Sequence, residues 1–263
     1  PIYRDYVINR HTFRSRTVAI KAVAGGGKTT LLLQLAENHK KNKLSQKKIL
    51  YLAFNRQIVQ EIKHKCRQKG LHNLVPMTFD ALVREMAIKN ITTSTPNINI
   101  CSAQDLDDMM LMGDVSCNQN GLNIVDLSPY TLTSLYPWFQ GKNFKVKKSL
   151  LHKLSLFCRN PRINDICQMF PTNVMLNHIW KDILSKKLVT FDGLRKLAFM
   201  EHWMKDYIDS KYDMIFIDEA QDFDPVMLEM LLKDTTIPKV FVGDPKQQIY
   251  EWRGSINSFG QLP

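Results

Sequence analysis

The sequence predicts an α/β fold: a parallel sheet covered by helices on both faces and interrupted by a mostly helical insertion. Three observations predict it. Short apolar runs alternate with helix-like stretches towards both ends of the chain, a cluster of three glycines sits between the first run and the first helix, and the alternation stops over residues 90–210. Strands that alternate with helices imply parallel pairing, because the helix supplies the crossover that parallel neighbours need, and such sheets are buried on both faces.

Five runs fit buried strands: 17–24, 48–54, 74–79, 213–217 and 239–242. Each is short and mainly apolar, as a strand covered on both sides must be. A helix over 28–41 follows the first, with Leu31, Leu32, Leu33 and Leu35 as its apolar content. After the second, Ile58 and Ile62 stand four apart among lysines and glutamines between Asn55 and Lys69, which reads as an amphipathic helix with a basic outer face. A helix over 225–234 opens on Asp224 as N-cap with Pro225 at its first position. Within the insertion, 90–141 is rich in Asn, Ser, Thr and Asp and reads as long loops or a poorly ordered excursion, whereas 142–159, 173–188 and 193–208 carry apolar residues at helical spacing. The expected organisation is one discontinuous domain, 1–89 with 211–263, and an inserted subdomain, 90–210.

The 263 residues carry a formal charge of +11, unevenly spread: residues 90–141 contain no lysine or arginine but five aspartates. A basic body around one acidic segment suggests a polyanionic partner. The five cysteines are odd in number, scattered and without a C-x-x-C pair, and the seven histidines are isolated. They read as reduced thiols and packed or surface rings of an intracellular protein, not as a disulfide frame or a zinc site. No apolar run approaches the roughly 20 residues that span a membrane, and no signal peptide precedes the first strand. The expectation is therefore an intracellular location, nuclear in a eukaryote, with no membrane partner. The chain begins at Pro1, and a fragment of a longer product is expected.

The stretch 22-AVAGGGKTT-30 names a ligand. A glycine cluster marks backbone that needs unusual dihedrals or must come close to a ligand. Placed between a strand and an apolar helix and followed by Lys-Thr, it is a phosphate-binding loop: N–H groups of residues 24–27 and the helix N-terminus face the anion, and Lys28 reaches the outer phosphates. The common form of this motif has glycine where this chain has Ala22.

Two further motifs say how the phosphate is used. The run 213-DMIFI-217 leads into 218-DEAQD-222, an acidic pair at the carboxyl end of a buried strand. There Asp218 would hold magnesium through water and Glu219 would orient and deprotonate an attacking water. The last strand leads into 243-GDPKQQIYEWRG-254, where a glutamine can reach a γ-phosphate and Tyr250, Trp252 and Arg253 can stack on bases or touch phosphates.

With these in order the chain resembles the first half of a superfamily 1 helicase of the UvrD/Rep type, and within that group it is most similar to the F-box DNA helicases. The likeness rests on 22-AVAGGGKT-29, 53-AFN-55, 78-TF-79, 218-DEAQD-222 and 243-GDPKQQIYEWRG-254, with 190-TFDGLRKL-197 resembling the end of that family's inserted subdomain. Ala22 is what this family has there. The resemblance implies a RecA-like P-loop domain that binds ATP and Mg2+ and moves 3′ to 5′ on single-stranded DNA, with repair or recombination proteins as partners. It implies that Ala24, Gly25, Gly26, Gly27, Lys28, Thr29 and Thr30 cradle the nucleotide, that Thr29 and Asp218 hold magnesium, that Glu219 is the base and that Gln247 senses the γ-phosphate. Phe54, Tyr250 and Trp252 would stack on bases; Asn55, Thr78 and Phe79 would lie along the strand; Arg253 would bridge strand and nucleotide.

Two departures carry consequences. No glutamine precedes Gln34, so the adenine-reading Q motif is missing or truncated and base specificity is open. The sequence stops at Pro263, before the second RecA-like domain whose arginines complete the site in the family. Such an arginine is worth about 10³ to 10⁵ in rate, so the chain alone is expected to bind nucleotide and hydrolyse it poorly. The competing readings are a P-loop ATPase of another class acting on protein assemblies, which leaves the aromatic string unexplained, and an ATP-gated nucleic-acid clamp or adaptor.

Overall fold

All five apolar runs form strands. The computed structural model describes residues 17–23, 25–41, 47–91, 98–101, 122–125, 144–161, 180–181 and 188–247. The described strands are β1 (Thr17–Lys21), β2 (Lys48–Ala53), β3 (Leu74–Thr78), β4 (Ile98–Cys101), β5 (Leu122–Val125), β6 (Leu188–Val189), β7 (Tyr212–Ile217) and β8 (Lys239–Gly243). The helices are α1 (Lys28–Lys41), α2 (Arg56–Lys69), α3 (Phe79–Ile91), α4 (Phe144–Arg159), α5 (Phe191–Met200), α6 (Tyr207–Lys211) and α7 (Pro225–Lys233). The chain divides into two compact units, one of residues 1–82 with 204–263 and one of residues 83–203.

The first unit is built on a five-stranded sheet in the order β1-β8-β7-β2-β3, parallel at every pairing. The α/β expectation holds. Successive side chains of a strand alternate faces, and β2 shows this: Ile49, Tyr51 and Ala53 join a cluster with Leu32, Leu33 and Ala36 of α1 and Val59, Ile62 and Cys66 of α2. Leu50 and Leu52, between them, are buried on the opposite face. Burying each such aliphatic side chain is worth about 1.5–3 kcal/mol relative to exposure, so both sheet faces drive folding of this unit.

Helix ends follow local chemistry. Asn55 caps α2 by accepting from Ile58 N at 2.9 Å, and Asp224 caps α7 by accepting from Met227 N at 2.9 Å, with Pro225 next as expected. The helical pattern of 193–208 is broken: α5 stops at Met200, and His202 and Asp206 take left-handed conformations (φ 50° and 61°) before α6 begins. Apolar spacing runs through this break because Trp203 and Met204 within it are buried, as are Tyr207 and Ile208 just after it.

The second unit differs from the sequence reading where strands form: Leu188, the last residue of the helix read over 173–188, begins β6, and most of that stretch lies outside the described residues. Strands β4 and β5, within the stretch read as loops, pair in parallel with each other, and β5 pairs in parallel with β6. Around α4 and α5, Asp192 accepts from Arg159 Nε at 3.0 Å and from Ser155 Oγ at 2.5 Å, and Arg195 also pairs with it. Lys196 is fully buried, its ammonium 5.7 Å from the ring centres of Phe157 and of Phe199, and it donates to the Asn160 carbonyl. Cys158, a buried free thiol, is pushed up to about 12 by burial and by Asp192, which leaves it unreactive.

Candidate nucleotide and nucleic-acid site

Because all five strands are parallel, their carboxyl ends form one rim. The register reads across it: Lys21 lies opposite Gly243, Phe241 opposite Ile217, Leu52 opposite Ile217 and Ala53 opposite Thr78. The segments that follow β1, β2, β3, β7 and β8 therefore meet along one edge, where open α/β sheets bind ligands.

The loop after β1 turns on its glycines. Gly25 and Gly27 have φ of 73° and 75°, conformations that cost a side chain strain, and Gly26 N donates to Val23 O at 3.0 Å. A Cβ at Gly26 would lie 2.9 Å from that same carbonyl oxygen, so the loop accepts no side chain there without moving. Ala22 N is tied to Gly243 O at 3.0 Å, which anchors the loop to the end of β8. Ala24 lies outside the described residues.

Lys28 opens α1 and is buried, with Nζ 3.3 Å from Glu219 Oε2. Thr29 Oγ1 donates to Asp218 Oδ2 at 3.4 Å, whereas Thr30 is exposed. Asp218 is almost fully buried and also accepts from the Tyr51 hydroxyl and from Glu219 N at 3.0 Å. Burial pushes its carboxyl above the ordinary value against the bond from Tyr51, and the Glu219 charge adds to the rise. Glu219 itself is left-handed (φ 50°), a strained conformation for a residue with a side chain, held where the chain passes from β7 into the single turn Ala220–Asp222. Asp222, half-buried beside it, is raised to about 6 by burial and by Glu219.

These residues fit the groups the loop implies. The glycine turn leaves its backbone open to an anion, Lys28 already faces a carboxylate, and the oxygen donors Asp218 and Thr29 suit a small hard cation.

The match to known families decides the grouping. The family whose pattern fits this chain is the UvrD/REP helicase N-terminal domain, over residues 8–260. The chain belongs to that family. F-box DNA helicase 1 of Gallus gallus is 26% identical over 286 residues, covering 98% of this chain and 24% of that protein. Gabija protein GajB of Bacillus cereus is 29% identical over 245 residues, covering 90% of this chain and 38% of that protein. RecBCD enzyme subunit RecB of Borreliella burgdorferi is 43% identical over 115 residues, covering 38% of this chain and 10% of that protein. The chain thus spans 24% and 38% of the first two relatives.

In this UvrD/REP helicase N-terminal domain the residues assigned to a nucleic-acid strand are placed unequally. Phe54 is half-buried at the rim directly after β2, and the neighbouring Asn55 is exposed. Thr78 ends β3, and its Oγ1 accepts from Ala81 N at 3.2 Å to start α3; a hydroxyl that accepts still has a proton to donate. Phe79 is a correction. Its ring is 1% exposed and meets Phe223 edge-on at 5.9 Å between centres, so it belongs to the core and offers no surface to a base. The Thr78 cap turns the chain into α3 at that point and directs the ring inwards. Gln247 is exposed, its N–H bonded to Asp244 O at 2.9 Å, while Tyr250, Trp252 and Arg253 lie outside the described residues.

Two participants escaped the sequence reading. Tyr51 reads as one more apolar strand residue, yet its hydroxyl ends on Asp218. Gln221 donates to Glu219 Oε2 at 2.7 Å and accepts from Asp244 N at 3.1 Å, joining the end of β7 to the end of β8. Its only sequence signal is an amide inside an otherwise acidic run after a buried strand.

Proposed function

We propose that this chain is the ATP-binding part of a motor that couples ATP hydrolysis to 3′-to-5′ movement along single-stranded DNA. The observation that carries the reading is the pairing of Lys28 and Thr29, at the start of α1, with Glu219 and Asp218, at the end of β7, at 3.3 and 3.4 Å. A phosphate-binding lysine and hydroxyl facing an acidic pair across a parallel-sheet rim is the arrangement that phosphoryl transfer to water needs. Residues 1–89 with 211–263 would form the RecA-like domain and 90–210 its insertion.

In this reading residues 24–30 cradle the phosphates, and Lys28 exchanges its carboxylate partner for them. Thr29 and Asp218 would hold magnesium, which when bound supplies charge neutralisation at the phosphates. Glu219 orients water and takes its proton, and Gln247 meets the γ-phosphate from the end of β8. Phe54, Tyr250 and Trp252 stack on bases, and Asn55, Thr78 and Arg253 hold the backbone of the strand. The basic composition supports a polyanionic substrate. Turnover at a useful rate would need arginines from a second domain.

The test is equilibrium titration of the chain with a fluorescent ATP analogue plus magnesium, and with an oligo-dT at several salt concentrations. Saturable binding of both, with DNA affinity falling as salt rises, is expected. Absence of either binding event defeats the reading. Single-strand binding that ignores nucleotide would favour a clamp over a motor.

A further inference from the structure

Glu219 Oε2 receives two donors, the Lys28 ammonium at 3.3 Å and the Gln221 amide at 2.7 Å. The other end of that amide accepts from Asp244 N at 3.1 Å, and Asp244 in turn organises the residues after β8: its Oδ1 accepts from Lys246 N at 3.0 Å and its carbonyl from Gln247 N at 2.9 Å. Gln221 and Asp244 are both buried, so the bond between them forms out of reach of competing water. The amide sits on a short turn closed by Asp222 N donating to Glu219 O at 3.0 Å, which limits how far Glu219 and Gln221 can move apart.

From this chain of contacts we infer that Gln221 is a positioning residue that couples the phosphate side of the site to the segment leading into residues 248–254. The inference rests on the function proposed above and deepens it. Nucleotide phosphates that draw Lys28 away leave Glu219 Oε2 with Gln221 as the one of these two donors it keeps. A shift of Glu219 then pulls on the amide, and the amide carries the shift to Asp244 and to the turn Pro245–Gln247. A primary amide suits this place, because it offers a donor to a carboxylate and an acceptor to a backbone N–H from one planar group, with no change of charge across the working pH range. In sequence that turn runs directly into 248-QIYEWRG-254, so occupancy by nucleotide and grip on a strand share one relay.

The test compares the full chain with Q221M and Q221N. Methionine keeps the volume and loses both bonds; asparagine keeps the amide but is one methylene too short to span both partners. Oligo-dT affinity is measured with and without magnesium and a non-hydrolysable ATP analogue. In the wild type the two affinities should differ by about fivefold or more, the usual lower range of coupling between sites. In both variants that ratio should fall to near one, while the affinity for each ligand alone stays close to wild type and the melting temperature shows a folded protein. If one variant fails to fold, the other decides. A folded variant that keeps the wild-type ratio overturns the inference and leaves the proposed function standing; a wild type that binds both ligands with a ratio of one overturns the inference and favours the clamp over the motor. A wild type that binds neither ligand removes the proposed function and the inference together.

Discussion

The hydroxyl of Tyr51 donates to the same Asp218 oxygen, Oδ2, that accepts from Thr29. Tyr51 is fully buried on β2, so the strand next to β7 braces the carboxylate while Thr29 reaches it from α1. Burial and the adjacent Asp218 charge both push the phenol above its ordinary value, which fixes it as a donor at any working pH. Asp218 is thereby held in one orientation by groups from three segments of chain, which the magnesium-holding role proposed for it requires.

Tyr51→Phe removes that donor with little change in volume. Leaving a buried carboxylate oxygen short of a partner costs about 1–3 kcal/mol. The expected result is a lower melting temperature and a higher magnesium concentration needed for half-maximal nucleotide binding. Thermal melting and a magnesium titration at fixed nucleotide check both, and a variant equal to wild type in both measurements would show that Thr29 and the backbone suffice.

If Lys28 binds phosphates as proposed, Lys28→Ala should lower Mg-nucleotide affinity by about tenfold or more while leaving the fold intact, because its point charge meets Glu219 at the rim and not an apolar core. Its carboxylate partner keeps the Gln221 bond and is 28% exposed, so water takes over part of the lost interaction. A fluorescent ATP analogue and a melting curve measured on the same sample separate the two effects. Unchanged nucleotide affinity would remove Lys28 from the site.

Parts of this site were legible in the sequence because their chemistry is local. The glycine turn, the Lys-Thr pair and the acidic pair each announce themselves within nine residues, and strand-helix alternation alone places them on one rim. Gln221 and Tyr51 were not legible, because their partners lie 23 and 167 positions away in sequence and neither residue type implies a partner. Phe79 came with the resemblance of 78-TF-79 as a pair, and only the cap made by Thr78 shows that the chain has already turned into a helix there, with the ring in the core. Strands β4 and β5 are four residues each, too short for periodicity to separate them from polar loops.

In the second unit, Asp192 gathers Arg159, Arg195 and Ser155 in a part-buried cluster. Burial pushes its carboxyl up, but the two guanidinium groups and the serine hydroxyl outweigh this and hold it below the ordinary value. A carboxylate lowered in the folded state stabilises fully above its unfolded value, about 3.9, and that stabilisation is lost as pH falls through the lower folded value. Asp192→Asn should therefore destabilise by about 1.5–3 kcal/mol at pH 7, since Arg159 and Arg195 lose charge-assisted bonds to this carboxylate. The gap between variant and wild type should narrow as the pH is taken from 5 down to below the folded value. Urea denaturation followed by tryptophan fluorescence at each pH measures it, and a gap independent of pH would show that packing, not charge, is what Asp192 supplies.

Phe54 is the described aromatic best placed to meet a nucleic-acid base. It follows β2 at the rim, half-buried, and Asn55 next to it is pinned as the cap of α2, so the ring's position along the rim is set by secondary structure. Two accounts of the ring make different predictions. As a stacking platform it contributes about 1–3 kcal/mol per base with no preference for sequence, because every base has a π face. Phe54→Ala should then weaken binding of oligo-dT and of mixed sequences alike by that amount, with the dependence on salt unchanged, because only phosphate contacts release counterions. As a packing residue it would instead leave a partial cavity, and its loss would lower the melting temperature while affinity, measured well below that temperature, stayed as in the wild type. Measuring melting temperature, affinity and salt slope on this one variant distinguishes the two. Weaker binding at constant slope in a protein that melts normally is the expected outcome; a lower melting temperature with unaltered affinity would assign Phe54 to the core and leave stacking to residues after β8.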